Sequence, residues 1–206
     1  DRRVFDVVAE HGFNVRMTSE HHMSGSDRVM EVAEQMGWPD DDIVVNIQGD
    51  EPLMPSAVVN DLCHRMQDQT DVAMATLSEP LHSEADFLNP NVVKVVVSEA
   101  SKALYFSRAP IPYPRDHMFD GQLAPGSLLA TPSLPVLRHI GLYGFRVSGL
   151  RTFVGLGESV LERIERLEQL RWLEAGNSLL VVPTLEAVPG GIDTPEDLAR
   201  IQALFE

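Results

Sequence analysis

The sequence predicts an α/β fold, a mostly parallel (mixed) sheet wrapped by helices, and three observations carry that reading. Short β-branched runs alternate with amphipathic stretches along most of the chain, the pattern of strands joined by crossover helices. At 206 residues and 44% hydrophobic content, the chain is long enough to bury one sizeable core. Finally, the apolar run Val44-Val45-Asn46-Ile47 stops abruptly on Gln48-Gly49-Asp50-Glu51-Pro52, as a buried strand does at the rim of such a sheet.

Taken in order, Arg2 to Glu10 reads as an amphipathic helix ended by Gly12, Asn14 to Met17 as a short strand, "SEHHMSGS" as a loop, and Asp27 to Met36 as a helix. "DDIVVNIQ" is a strand, a helix follows Pro55, and strands fit "VAMATL", "NVVKVVV" and "ALYFSR". From Tyr113 to Leu137 the chain turns rich in Pro, Gly and polar residues, which reads as a long surface loop or boundary. The last third offers the strand "RHIGLYGF", one long helix over "LERIERLEQLRWLEAG", the strand "LLVVP" and a closing helix after Thr194. There are no repeats and no low-complexity tract, so residues 1–206 read as a single domain.

Sixteen Lys plus Arg against 31 Asp plus Glu give a formal charge of −15 and a pI near 4.7, which argues against nucleic-acid or anionic-membrane partners. An anionic ligand must be met by a local cluster of cations or by a metal. The lone Cys63 forms no internal disulfide and reads as an apolar filler, which places the protein in a reducing cytoplasm. No apolar run approaches the roughly 20 residues of a bilayer span, so no membrane insertion is expected. Adjacent His21-His22 lack a spaced His or Cys partner and are not read as a zinc site.

Two acidic corners stand out. In open α/β sheets ligands bind beyond the carboxyl ends of strands, where "NIQGDEP" would lie. Asp50 and Glu51 are hard oxygen donors suited to Mg²⁺, which takes one or two protein carboxylates and completes its shell with water and phosphate. The same residues also suit a plain turn, and both readings stand on the residues alone. In "GGIDTPEDL", Thr194, Pro195 and Asp197 form a helix-capping pattern, which leaves Asp193 as a turn residue or a ligand.

Two further features resist a purely structural account. A strand over "RHIGLYGF" puts His139, Gly141, Tyr143 and Phe145 on one face and Ile140 and Leu142 on the other. Glycine inside a strand often marks where a ligand or backbone comes close, although a partly solvated face explains the pattern equally well. In the long helix, Glu168 shares a face with Leu161 and Ile164. It must therefore reach solvent or bind something polar, with Gln169 beside it, whereas Glu162 and Arg166 read as an exposed i,i+4 pair. The Ser24-Gly25-Ser26-Asp27-Arg28 turn opens a helix and exposes backbone N–H groups.

Together, "HHMSGSDR", "VVNIQGDEP", "FLNPNVVKVV", "ALYFSRAPIP", "RHIGLYGFR", "LERIERLEQLR" and "GGIDTPEDL" resemble, in order and over essentially the whole length, the 3-deoxy-manno-octulosonate cytidylyltransferases (CMP-Kdo synthetases). The resemblance implies a Rossmann-like nucleotide-diphospho-sugar transferase fold, with a sugar-binding and dimerisation region near residues 113–176. It implies transfer of CMP from CTP to the sugar acid Kdo for lipopolysaccharide synthesis, by in-line attack of the sugar hydroxyl on the α-phosphate, in a cytoplasmic homodimer. Asp50 and Asp193 are then the magnesium carboxylates. Gln48, Arg108, His139, Tyr143, Glu168 and Gln169 are the Kdo-binding set, and Ser24, Gly25 and Arg28 approach the nucleotide. The family opens with a strand, a basic glycine-bearing phosphate loop, a helix and a second strand, none of which precedes Asp1, so the chain as written is expected not to be fully active. The alternatives are a cytidylyltransferase for another acidic sugar, such as a sialic acid, or a remnant that only binds ligand or dimerises.

Overall fold

The structure is a computed structural model that describes residues 1–22, 24–119, 122–123, 136–184, 186–192 and 194–204. Its elements run α1 (Arg2–Glu10), α2 (Gly25–Met36), β1 (Ile43–Asn46), α3 (Ser56–Asp68), β2 (Met74–Pro80), α4 (Glu84–Leu88), β3 (Lys94–Val97) and β4 (Ala103–Ser107). There follow β5 (Met118–Phe119), β6 (Gln122–Leu123), β7 (Leu137–Arg146), α5 (Val147–Gly155), α6 (Val160–Glu165), α7 (Gln169–Glu174), β8 (Leu180–Pro183) and α8 (Pro195–Gln202).

One mixed sheet of six strands organises the chain, in the order β4-β3-β7-β2-β8 with β1 also on β7. β7 is the longest strand and the hub. It lies antiparallel to β2 along one side, and on the other it meets β1 through its C-terminal half and β3 through its first two residues. The expected mixed sheet is present, and among the described strands β2 and β8 pair in parallel while the other pairings in it are antiparallel. β1, β2, β3 and β8 do share one direction, but β7 runs against three of them and sits in the middle. Side-chain periodicity fixes which residues form strands, not which way a neighbour runs.

The two faces of β7 feed separate cores. Ile140 and Leu142 pack with Leu62 and Met66 of α3 and with Leu77, Leu180 and Val182. Leu62 and Met66 are fully buried, each contributing about 1.5–3 kcal/mol by removal from water. Phe145 packs on the opposite side with Phe153 of α5, Trp172 of α7 and Met30 of α2. Rings line this second face in sequence, Phe106, His139, Tyr143, Phe145, Phe153 and Trp172, with neighbouring centroids 4.9 to 6.3 Å apart.

Two expectations give way. Asn14 to Met17 forms no strand, and no described strand lies beside it to complete a ladder. The long helix over residues 161–176 is two short ones, α6 and α7, broken where Arg166 adopts the left-handed conformation at φ 56°. Glu162, which caps α6 with Ser159, is buried and paired with Arg171 through Arg171 Nε at 2.8 Å and a second, Nη2 contact. Residues nine apart lie on opposite sides of a straight helix, so the break is what lets Glu162 and Arg171 meet. The expected exposed pair with Arg166 does not form, and Ile164 is largely exposed rather than sharing an apolar stripe with Glu168.

Candidate functional site

The second face of β7 opens onto a cavity of about 430 Å³. Its walls come from the N-terminus of α2 (Ser24, Gly25, Ser26), the end of β1 (Asn46, Gln48), β7 (His139, Tyr143) and the α6–α7 junction (Arg166, Glu168, Gln169), over a floor that includes Met74, Phe145 and Phe153. Of the residues expected on the sequence, the structure gathers Ser24, Gly25, Gln48, His139, Tyr143, Glu168 and Gln169. Ser26, Asn46 and Arg166 are additions. A polar residue at the end of an apolar strand was the available signal for Asn46, whereas Arg166 joins only because the helix breaks there.

Each wall has a local cause. Ser24 caps α2 by accepting from Asp27 N, and the Asp27 carboxylate accepts in turn from Ser24 N, so the helix starts where its partial positive charge faces the cavity. Gly25 sits beside the amides of Gln48 and Asn46, where an added Cβ would lie 3.5 and 3.6 Å from them, in ordinary contact. Beside Gly141 an added Cβ meets open space. That glycine therefore sits in a bulge of β7, where Thr76 faces Tyr143 but Leu77 faces Ile140, and not at a close approach.

Above the apolar floor, several of the polar lining side chains make no side-chain hydrogen bond to the described residues. Gln169 is buried, and its Nε2 has no hydrogen-bond partner among the described residues, which is costly unless a ligand supplies an acceptor. His139 hydrogen-bonds through Nε2 to Thr76 Oγ1 at 2.9 Å, and burial pushes its pKa down to about 3, so the ring is neutral. Burial raises the Tyr143 hydroxyl, with the Glu168 carboxylate adding to the effect. Glu168 is exposed as a whole residue, yet crowding around its carboxyl raises its pKa; Glu162 and Asp27 push the same way and Arg171 opposes.

Two of the expected residues, Arg108 and Arg28, are engaged elsewhere. Arg108 donates from Nε to Glu165 O at 2.7 Å, from Nη1 to Pro90 O at 3.0 Å and from Nη2 to Arg166 O at 3.4 Å, so its guanidinium is spent on backbone carbonyls behind the α6–α7 junction. Buried Lys94 continues this framework, donating to the carbonyls of Asn89, Val92 and Arg108. Arg28 donates to Thr18 Oγ1 at 3.0 Å and Ser19 O at 2.8 Å, pinning the preceding loop. His22 is held to Glu31 and belongs to that loop.

Asp50 is exposed in the turn after β1. The two acidic corners meet there, because Ile192 N donates to Asp50 O at 2.8 Å and Gly191 packs so closely that a Cβ would lie 2.8 Å from the same oxygen. Asp193 lies outside the described residues. Beyond it the expected cap forms, with Thr194 and Asp197 in a capping box and Pro195 in the first turn of α8.

The profile of the cytidylyltransferase family matches residues 1–179. A 3-deoxy-manno-octulosonate cytidylyltransferase of Cellvibrio japonicus (strain Ueda107) is 48% identical over 206 residues, covering 100% of this chain and 79% of that protein. A solved structure of CMP:2-keto-3-deoxy-manno-octonic acid synthetase complexed with CTP superposes with a TM-score of 0.85 at 36% identity, covering 100% of this chain and 77% of that one. A 4-diphosphocytidyl-2C-methyl-D-erythritol synthase shares the fold alone, at a TM-score of 0.56 and 12% identity, with 100% of this chain and 77% of that one covered. No helix among the described residues is long and apolar enough to cross a membrane. With most of its length matched by this profile and its mixed sheet shared with the CTP-bound synthetase, the chain belongs to the cytidylyltransferase family and is a nucleotidyltransferase of the CMP-Kdo synthetase type.

Proposed function

We propose that the protein transfers CMP from CTP to Kdo, giving CMP-Kdo and pyrophosphate, and that the cavity on β7 receives the sugar acid. The observation that carries this is the buried amide nitrogen of Gln169, unpartnered among the described residues, in a pocket whose other polar groups, from Gln48 to Tyr143 and Glu168, stand around one space. Such a set suits a ligand dense in hydroxyl groups. Arg166 and the N-terminus of α2 supply the positive potential that a carboxylate or phosphate needs, which reconciles an acidic protein with acidic substrates.

The residues of the acidic corner fit a magnesium ion. Asp50 is an exposed hard donor on a turn tied by Ile192 to the segment that carries Asp193, and these two carboxylates would hold it. Bound there, magnesium supplies charge neutralisation between two anionic reactants. The chain's own part is positioning: Gln48, Tyr143, Glu168 and Gln169 orient the sugar so that its anomeric hydroxyl lies in line with the α-phosphate, and Ser24 and Gly25 bound the nucleotide side. Arg108 acts from behind, by holding the junction that bears Glu168.

The reading places the protein in lipopolysaccharide synthesis, in the cytoplasm where CTP is made, as a homodimer whose contacts and sugar site fall largely within residues 113–176. Sedimentation at micromolar concentration tests the dimer. The decisive experiment is pyrophosphate release by the full-length protein with CTP and magnesium, offering Kdo and N-acetylneuraminate side by side. Turnover with Kdo is expected. Turnover with the sialic acid alone would reassign the sugar, and none with either would leave a ligand-binding role.

A further inference from the structure

Thr76 lies on β2, fully buried, opposite the bulge in β7. A bulge leaves backbone carbonyls without ladder partners, and here the oxygens of Ile140 and Leu142 both turn to the Thr76 hydroxyl, at 3.1 and 2.9 Å. The third neighbour of that hydroxyl is His139 Nε2 at 2.9 Å. A hydroxyl has one proton and two lone pairs. Were its proton given to the imidazole, two carbonyl oxygens would face its lone pairs at hydrogen-bond distance with no hydrogen between. The arrangement closes only if Thr76 directs its single proton toward the pair of carbonyls, shared between them in a three-centre bond, and accepts from Nε2–H.

We propose that Thr76 is a positioning residue that fixes His139 as the Nε2–H tautomer, so that Nδ1 presents a lone pair to the cavity and accepts a hydrogen bond from a ligand hydroxyl. Nδ1 has no hydrogen bond to any described residue, while His139 lines the cavity beside Tyr143. His139 therefore selects for O–H at its contact point and is indifferent to a bare anion, a division of labour with Arg166, which only donates, and with the unpartnered Nε2 of Gln169, which donates too. The ligand half of this statement rests on the proposed placement of the sugar acid; the tautomer half does not.

The test is an imidazole-¹⁵N NMR spectrum of the full-length protein without substrate, with His139→Gln used to assign the signal, followed by kinetics of Thr76→Val and Thr76→Ser. The wild type should show a neutral Nε2–H ring. Thr76→Val should lose that signature and raise the KM for the sugar roughly tenfold, the effect of one lost hydrogen bond, with the KM for CTP unchanged; Thr76→Ser should restore both. An Nδ1–H ring in the wild type, or an unaltered tautomer in Thr76→Val, would overturn the proposal without reference to any substrate. A changed tautomer with an unchanged sugar KM would overturn the placement of the sugar, and with it the ligand half. Because the wild-type spectrum decides the tautomer, the test survives if Thr76→Val fails to fold.

Discussion

Arg108 and Glu165 clasp each other twice: Arg108 Nε donates to the backbone carbonyl of Glu165 at 2.7 Å, and the Glu165 carboxylate accepts the Arg108 backbone N–H at 2.9 Å. The same carboxylate takes the buried Ser107 hydroxyl at 2.6 Å. The end of β4 is thereby fastened to the α6–α7 junction, one residue before Arg166 enters its left-handed conformation and the chain turns to the cavity. A non-glycine residue in that conformation costs about 1 kcal/mol and persists only where neighbours hold it.

Arg108→Ala should therefore loosen a wall of the site without removing a group that touches ligand. The expected loss is about 2 kcal/mol or more of stability, from charge-assisted bonds to carbonyls, with a sugar KM raised on the order of tenfold and the KM for CTP little changed. Arg108→Lys should not rescue it, since one ammonium cannot span three carbonyls held by a planar fork. Thermal melting and steady-state kinetics check both. An unchanged melting temperature with a collapsed sugar KM would put Arg108 on the substrate instead.

Glu168→Gln should separate binding from stability. The folded-state pKa of this carboxyl is raised, by crowding first and by the charges of Glu162 and Asp27, so its ionised form is disfavoured in the empty protein. Stability is lost as pH rises through the ordinary carboxyl value near 4.5 to the raised one, and the cost persists above. Glutamine removes that titration. The variant should melt higher than wild type at pH 8, with the gap closing at pH 4, and should use the sugar more weakly with unchanged CTP binding. Because Glu168 is exposed as a residue, the gain will be under about 1 kcal/mol. A variant less stable at pH 8 would mean that the carboxylate is already paired.

Most of the cavity was legible in the sequence because it is built where local rules leave a residue unexplained. His139 and Tyr143 fall on one face of a strand by simple alternation, Gly25 and Ser24 follow from a capping pattern, and Gln48 from an interrupted apolar run. Long-range geometry was not legible. The reversed direction of β7 depends on pairings far apart in sequence, and the break at Arg166 goes with a contact between Glu162 and Arg171 that no straight helix allows. Helical periodicity runs unbroken through that stretch, so it placed Glu168 on an apolar stripe, whereas the cavity acquires it from the head of α7. Thr76 gave no signal, since a lone threonine in an apolar strand is ordinary.

His139 predicts a specific acid sensitivity. Its folded-state pKa is pushed down to about 3 by burial, from an ordinary value near 6.5. Between those values the unfolded chain binds a proton that the folded protein refuses, so stability falls as pH drops below about 6.5 and this contribution is complete near 3. Above 6.5 it is flat. In urea titrations from pH 8 to pH 5, the midpoint of wild type should fall more steeply than that of His139→Gln, and parallel curves would mean that the ring is protonated in the fold. The neutral ring that produces the slope is the one that can accept a ligand hydroxyl.

The meeting of the acidic corners can be probed from both sides. Asp50→Asn replaces an exposed carboxylate and should leave the melting temperature unchanged while lowering pyrophosphate release by on the order of 10²-fold, as for loss of a key electrostatic group. Gly191→Ala should act through the backbone: its Cβ would lie 2.8 Å from Asp50 O, closer than a Cβ is tolerated, so the Ile192–Asp50 bond must lengthen. Turnover should then fall with the carboxylates intact, and added magnesium should recover part of it in Gly191→Ala but little in Asp50→Asn, because misplaced ligands weaken affinity whereas a missing one removes a charge. Full-length variants assayed across a magnesium series decide this. Near-normal release by Asp50→Asn at saturating magnesium would take the ion away from this corner, and a magnesium dependence of Gly191→Ala identical to wild type would show that the contact between the corners is structural only.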